Sequence, residues 1–217
     1  MKTLSKLLIL GFALTLMVMY PGTSASATVI AIGPNDFLPG TTVITFDGIN
    51  DGTEVNGLTV GGVLFSYSIG NGQVITDGGP GQTNNINPPN VVSIGDPTGT
   101  MKLSLPGLTM QFGYGYALDT GGPVAGATTI ALYAGNAFVG SLSYDGDNDP
   151  TFTGGFAGIQ SDIAFDTAYL TFNTNAAPAW AFDNVMYAPA VPEPGTLLMF
   201  ASGFLGVAGL LRKRFLA

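Results

Sequence analysis

Between Thr28 and Ala190, apolar residues come in short runs that never sustain a helical period across three turns. The runs are rich in Val, Ile, Thr, Phe and Tyr, and Gly, Asn, Asp and Pro separate them, which is typical of strands joined by turns. In Leu108–Tyr116 every second residue is large and apolar or aromatic, as in a strand with one buried face. The predicted strands are Thr41–Asp47, Gly62–Ser68, Val91–Ile94, Met101–Leu105, Leu108–Tyr116, Ala127–Tyr133, Ala137–Tyr144, Gly155–Gln160, Ile163–Phe172 and Trp180–Tyr187.

Many short strands without a helix predict an all-β domain over residues 28–190, an antiparallel two-sheet sandwich of jelly-roll type. The turn at 134–136 is expected to join two strands in a hairpin. The aromatic row of Leu108–Tyr116 and the single tryptophan, Trp180, are expected in the core. The polar, Gly- and Pro-rich stretch Asn71–Asn90 is predicted to be a loop across one end, either functional or a simple insertion.

Residues 1–27 have the pattern of a secretory signal peptide, which forms no part of the fold. Lys2 and Lys6 give a positive start, and the apolar run Leu7–Tyr20 follows. Ala25 and Ala27 supply the small residues that signal peptidase requires, so cleavage is predicted after Ala27. An uncleaved N-terminal anchor is the alternative.

The C-terminal residues 191–217 have three parts in order. The sorting-type motif Pro192, Glu193 and Pro194 comes first, and the uncharged run 195–211 follows. As a helix this run would span about 25 Å at about 1.5 Å per residue, enough for a short transmembrane helix. Because cations stay on the cytoplasmic side, the cluster Arg212, Lys213 and Arg214 places everything before Val191 across the membrane.

This order of motif, apolar run and basic cluster resembles a PEP-CTERM sorting tail. Members of that family are exported proteins of Gram-negative bacteria that make exopolysaccharide. The resemblance implies recognition by an exosortase, a membrane-embedded processing enzyme. It further implies export across the inner membrane, transient anchoring there, and delivery to the cell surface or extracellular matrix. An ordinary C-terminal anchor is the alternative.

With both ends set aside, residues 28–190 are strongly acidic. Lys102 is the one basic residue against thirteen acidic ones, which gives a net charge of −12. This charge would repel a phosphate backbone, so nucleic acid is excluded as a partner, whereas divalent cations are favoured. The chain also lacks Cys and His, which excludes disulfides, Ser–His and Cys–His nucleophiles, and zinc held by thiolate or imidazole.

Two segments resemble the exported β-sandwich domains often found ahead of such tails: 45–49 (TFDGI), and 154–172 followed by 180–189 (WAFDNVMYAP). The segment 180–189 also resembles the last strand of jelly-roll carbohydrate-binding modules, in which an Asp on that strand and a carboxylate near the first strand help to hold calcium. The resemblance implies a structural calcium ion held by Asp47 and Asp183. From the residues alone, either carboxylate could instead cap a turn. Three further carboxylates alternate along 145–149, but Pro150 and Phe156 replace the Gly and Glu of an EF-hand loop. A plain acidic turn is favoured there over a looser calcium loop.

No catalytic residue is predicted, and the protein is expected not to be an enzyme. Glu54 is the only Glu between Thr28 and Ala190, and the sequence marks no second acid as its partner for glycoside hydrolysis. The expected function is that of an exported surface or matrix protein whose sandwich binds or packs into exopolysaccharide. A purely structural component without glycan specificity is the alternative, and an extracellular hydrolase is less favoured.

Overall fold

The computed structural model describes residues 27–77 and 85–190. The predicted signal peptide up to Ser26, the segment 78–84, and the tail from Val191 with its sorting motif, apolar run and basic cluster lie outside the described residues. Within the described ranges, no helix is long and apolar enough to cross a bilayer.

The described chain consists of β-strands joined by turns and loops, with one short 3-10 helix at Pro34–Asp36. The strands are β1 (Val29–Ala31), β2 (Thr42–Ile44), β3 (Thr59–Val60), β4 (Val63–Tyr67), β5 (Gln73–Thr76), β6 (Asn90–Ser93), β7 (Met101–Leu118), β8 (Val124–Ala134), β9 (Ala137–Asp149), β10 (Phe152–Phe172) and β11 (Trp180–Pro189).

The strands pair antiparallel in the order β5-β6-β11-β7-β10-β8-β9, with β4 beside β7, β2 beside β11 and β1 beside β10. The fold has two halves, one that contains β4 and one that contains β11, and the long strands β7 and β10 contribute to both. The first part of β7 lies between β4 and the end of β10, and its second part lies between β11 and the start of β10. The two halves therefore share two bent strands.

Aromatic rings fill the space between the halves. Phe65 of the first half stacks on Phe182 of the second, with ring centroids 6.3 Å apart. Phe172 stacks on Trp180 at 4.4 Å. Trp180 is 1% exposed, and the large residues of β7 from Phe112 to Tyr116 are buried as well. This packing confirms the all-β, sandwich-like class and the core positions of Trp180, Phe112, Tyr114 and Tyr116. The prediction was wrong for Leu108, at the start of the aromatic row, which is 59% exposed.

Several predicted boundaries were wrong. Two strands were predicted on either side of Pro106 and two on either side of Asp162, but each pair is one bent strand. The bends coincide with register shifts in the pairing of β10 with β7, so the ladder resumes after each interruption. The hairpin at 134–136 is confirmed, with Ala134 paired to Ala137. Within the predicted loop 71–90, residues Gln73–Thr76 form β5, because they pair with β6.

Candidate functional site: an aromatic face and a buried carboxylate

Four side chains form a half-exposed group on the outer surface of strands β7, β10, β8 and β9. Lys102, Tyr133, Phe138 and Tyr169 make up this group, here called the aromatic face. Because side chains alternate across a strand, these residues point away from the core that their neighbours Leu103, Leu132 and Leu170 enter. The face is therefore built on four adjacent strands.

The register of these strands brings the four side chains together. Tyr169 pairs with Lys102, and Tyr133 pairs with Phe138. The Tyr133 ring centroid lies 5.4 Å from that of Phe138 and 5.2 Å from that of Tyr169, edge to face in both cases. The Lys102 Nζ lies 5.9 Å from the centre of the Tyr169 ring, a cation–π distance. The three rings and the cation thus form one continuous strip.

Hydroxyl side chains border this strip on the same surface. Ser66 is paired with Lys102 on the side of β4, and Ser141 lies opposite Ala131 at the edge of β9. Ser104 and Thr167 are paired with each other between them. Phe138 is 60% exposed, so its ring is available to a ligand. Exposed apolar surface rimmed by polar groups is typical of a binding site.

Sequence reasoning missed the aromatic face. Tyr133 and Phe138 lie on either side of the predicted hairpin turn at 134–136, but Tyr169 and Lys102 come from two other strands that are distant along the chain. Their alternation with buried residues marks each as outward-facing, which was the available signal once the strand boundaries were known. The cross-strand register that places them side by side is set by the fold.

The second feature is the carboxylate of Asp183 on β11, which is only 2% exposed. Its Oδ2 accepts a hydrogen bond from the Asn87 backbone N–H at 3.2 Å, whereas no described group hydrogen-bonds to its Oδ1. Burial raises the pKa of Asp183 to about 7, and the negative charge of Asp47 adds to the shift. The structure therefore brings the two predicted calcium ligands within electrostatic reach of each other.

Asn90 of β6 lies next to Asp183. The pairing of β6 with β11 ends with Phe182 opposite Val91, so Asn90 and Asp183 are the next residues on the two strands and face the same side of the sheet. Asn90 is fully buried, and neither its Oδ1 nor its Nδ2 has a hydrogen-bond partner among the described residues. Such orphaned buried atoms cost about 1–3 kcal/mol each, which indicates that a further group satisfies them. Asp47, Asn90 and Asp183 are here called the carboxylate pocket.

Other predicted positions have local structural roles. The Oδ1 of Asp145 accepts a hydrogen bond from the Gly126 N–H at 2.8 Å, and Asp149 accepts one from the Asn85 side chain. Both lie on β9, so the expected acidic turn is part of a strand. The Oε2 of Glu54 accepts a hydrogen bond from the Gly72 N–H. Among residues 27–77 and 85–190, no group of three or more carboxylates could hold a metal ion.

Comparison with protein families gives one match. The model described as the PEP-CTERM protein-sorting motif covers residues 190–214. The chain carries a PEP-CTERM sorting motif. The match includes Pro192, Glu193 and Pro194 and extends to Arg214, so it confirms the tail resemblance, although the matched residues are a small part of the chain. The motif implies export and a membrane-associated sorting signal.

No curated protein matches the chain. Among solved structures, a mutant family 29 carbohydrate-binding module complexed with cellulohexaose is similar at 10% identity and a TM-score of 0.39. The similarity covers 75% of this chain and 92% of the module. The K2 cleaved adhesin domain of Lys-gingipain is similar at 14% identity and a TM-score of 0.41, covering 70% of this chain and 99% of that domain.

Proposed function

We propose that this chain is an exported, exosortase-processed protein of the cell surface or extracellular matrix whose sandwich binds exopolysaccharide. The sorting motif supports export and processing. In this proposal the signal peptide is removed after Ala27, and a tail helix over 195–211 anchors the precursor until an exosortase acts. The sandwich domain, residues 28–190, is then the part that remains outside the cell.

The observation that carries glycan binding is the aromatic face. A sugar ring has apolar C–H surfaces and a rim of hydroxyls, so it can pack on Tyr133, Phe138 or Tyr169 while its hydroxyls bond to polar side chains. Lys102 and Ser66 supply donors beside the rings. The net charge of −12 over residues 28–190 disfavours polyanions, so neutral polysaccharides are the expected ligands.

Binding of residues 28–190 to neutral and acidic polysaccharides tests this function. We expect retention by a neutral polysaccharide in affinity electrophoresis, and a drop of at least about tenfold in affinity for Tyr133→Ala and Tyr169→Ala, equivalent to about 1.4 kcal/mol. Ile94→Ala is the matched control, since Ile94 is 68% exposed and lies outside the aromatic face. Equal loss in all three variants would contradict the assignment.

The same aromatic face could stabilise the sheet without binding a glycan, because aromatic cross-strand pairs contribute about 0.2–1 kcal/mol. This is the purely structural alternative. It predicts that Tyr133→Ala lowers the melting temperature slightly and that no polysaccharide in the panel retains the native domain. Turnover of any polysaccharide would instead support the hydrolase, which the absence of His and Cys disfavours.

We further propose that the carboxylate pocket holds a structural calcium ion. The unpartnered Oδ1 atoms of Asp183 and Asn90 are buried hard oxygen donors, the type that calcium prefers, and Asp47 adds a second charge. Two carboxylates and one amide leave places for backbone carbonyls or water. Bound calcium would offset the repulsion between Asp47 and Asp183 and satisfy the orphaned oxygens.

Thermal denaturation of residues 28–190 in millimolar calcium and in chelator tests the calcium site. A ligand bound only by the folded state adds about 2.7 kcal/mol at one hundred times its dissociation constant, so the melting temperature should rise by several degrees. Asp183→Ala and Asp47→Ala should reduce the gain, and Asp145→Ala should retain it. Magnesium should substitute poorly. An unchanged melting temperature would rule the site out.

A further inference from the structure

The N-terminal and C-terminal residues of the sandwich domain, Thr28 and Ala190, lie at the same end of the fold. Beside β1, the Thr28 N–H donates to the Asp162 Oδ1 at 2.8 Å, and the Asp162 N–H donates to the Thr28 carbonyl at 3.2 Å. After β11, the Ala190 N–H donates to the Leu108 carbonyl at 2.9 Å. The predicted signal peptide therefore leads into the end of the fold from which the sorting tail departs.

Exposed apolar side chains lie at this end. Thr109 pairs with Pro189 on one side and with Phe165 on the other. Leu108 and Ile163 therefore lie between the two ends of the domain, Thr28 and Ala190. Leu108 is 59% exposed and Ile163 is 37% exposed. We call the surface formed by Thr28, Leu108, Ile163 and Ala190 the terminal end.

The tether to the proposed membrane helix is short. Residues 191–194 separate Ala190 from the apolar run, and in an extended Pro-rich conformation they reach about 12 Å at about 3.1 Å per residue. The terminal end is thus held near the bilayer while the tail is embedded.

We propose that the terminal end docks on the bilayer surface in the anchored precursor, with Leu108 and Ile163 entering the interfacial region. This inference rests on the proposed anchoring by the tail. Docking at this end directs β11 away from the membrane from Pro189 to Trp180, over about 33 Å at about 3.3 Å per residue. Removal of the tail releases the domain, since two apolar side chains alone form a weak attachment.

The absence of Cys from the chain allows single-cysteine labelling. Leu108→Cys and Ile163→Cys report on the terminal end. Ile94→Cys is the matched control: Ile94 is 68% exposed and follows β6, where Val92 pairs with Ala181 near the start of β11, so it lies at the opposite end. Each full-length variant is labelled with an environment-sensitive fluorophore and reconstituted into liposomes that contain lipids spin-labelled near the headgroup.

We expect the labels at 108 and 163 to be quenched at least about twofold more than the label at 94. Equal quenching at all three positions, in protein that floats with the liposomes, would overturn the docking and leave the tail anchor intact. Failure of the unlabelled chain to float would overturn the anchoring and the docking together. Glycan binding by the aromatic face is a separate measurement, unaffected by either outcome.

Discussion

A single side chain, Asp183, shows how far burial changes the chemistry of a common residue. In solution this carboxyl is ionised at neutral pH, but at 2% exposure its ionised form loses hydration that backbone hydrogen bonds, such as the one from Asn87, do not replace. Burial therefore raises its pKa to about 7. Proton and cation then compete for the same oxygen atoms in the carboxylate pocket.

This shift predicts how stability depends on pH in the absence of calcium. The folded-state pKa of about 7 lies above the ordinary value of 3.8, so the folded protein binds a proton that the unfolded chain has released. The associated stability is complete below about pH 3.8 and is lost as the pH rises through 7. We expect the melting temperature in chelator to fall by several degrees between pH 5 and pH 8.

Asp183→Asn should flatten this fall, because its amide does not titrate. Asp147→Asn is the control, since Asp147 is exposed on β9 and lies outside the carboxylate pocket. Thermal denaturation at pH 5, 6, 7 and 8 measures both. If Asp183→Asn and the native domain fall in parallel, another group is responsible for the pH dependence.

At the scale of elements, the segment 85–87 covers the outer surface of β7 and β11. The Asn85 carbonyl accepts a hydrogen bond from the Asn184 side chain at 3.0 Å, and the Asn87 N–H donates to Asp183. Ile86 packs on Val92, Ala117 and Ala181 in a small second core. The segment approaches β7 so closely that a Cβ at Gly115 would overlap the Asn85 carbonyl. Glycine at 115 thus allows the cover that buries Asp183.

Gly115→Ala should displace this cover. Overpacking of this kind costs typically about 1–3 kcal/mol in the free energy of unfolding, and the more exposed Asp183 should titrate at a lower pH. Gly121→Ala is the matched control, because a Cβ there meets no atom within 4 Å. Urea denaturation compares the two. Equal stability of both variants would show that the segment moves aside at no cost.

The whole molecule combines a domain with its own core and a sorting motif that follows it. Because the sorting motif matches residues 190–214, it begins at the last described residue, next to Leu108. Processing is therefore proposed to act where the sandwich ends.

The mass of the mature protein tests the proposed removal of the signal peptide and of the C-terminal tail. The mature protein should begin at Thr28 and should lack Arg212, Lys213 and Arg214. Replacing Pro192 and Pro194 by Ala should leave full-length protein in the membrane, because the apolar run would still insert. Intact-mass analysis of surface fractions decides between these outcomes. A wild-type C-terminus at Ala217 would support an ordinary anchor.

The sequence by itself determined the features that depend on local patterns. Alternation with turn residues specified an all-β domain, and the order of Pro192, Glu193 and Pro194, apolar run and basic cluster specified the sorting motif. Burial of Trp180 followed from its place in an apolar strand. Each of these signals lies within a few tens of adjacent residues.

Only the tertiary structure decided which distant residues meet. Pro106 and Asp162 looked like strand breaks, yet β7 and β10 continue through them because pairing on both sides restores the ladder. Cross-strand register placed Tyr169 beside Tyr133 and Phe138 of the predicted hairpin, and it put Asn90 and Asp183 on the same side of neighbouring strands. Register is a property of the assembled sheet, and burial depends on what covers a strand, so neither the aromatic face nor the carboxylate pocket has a local signature.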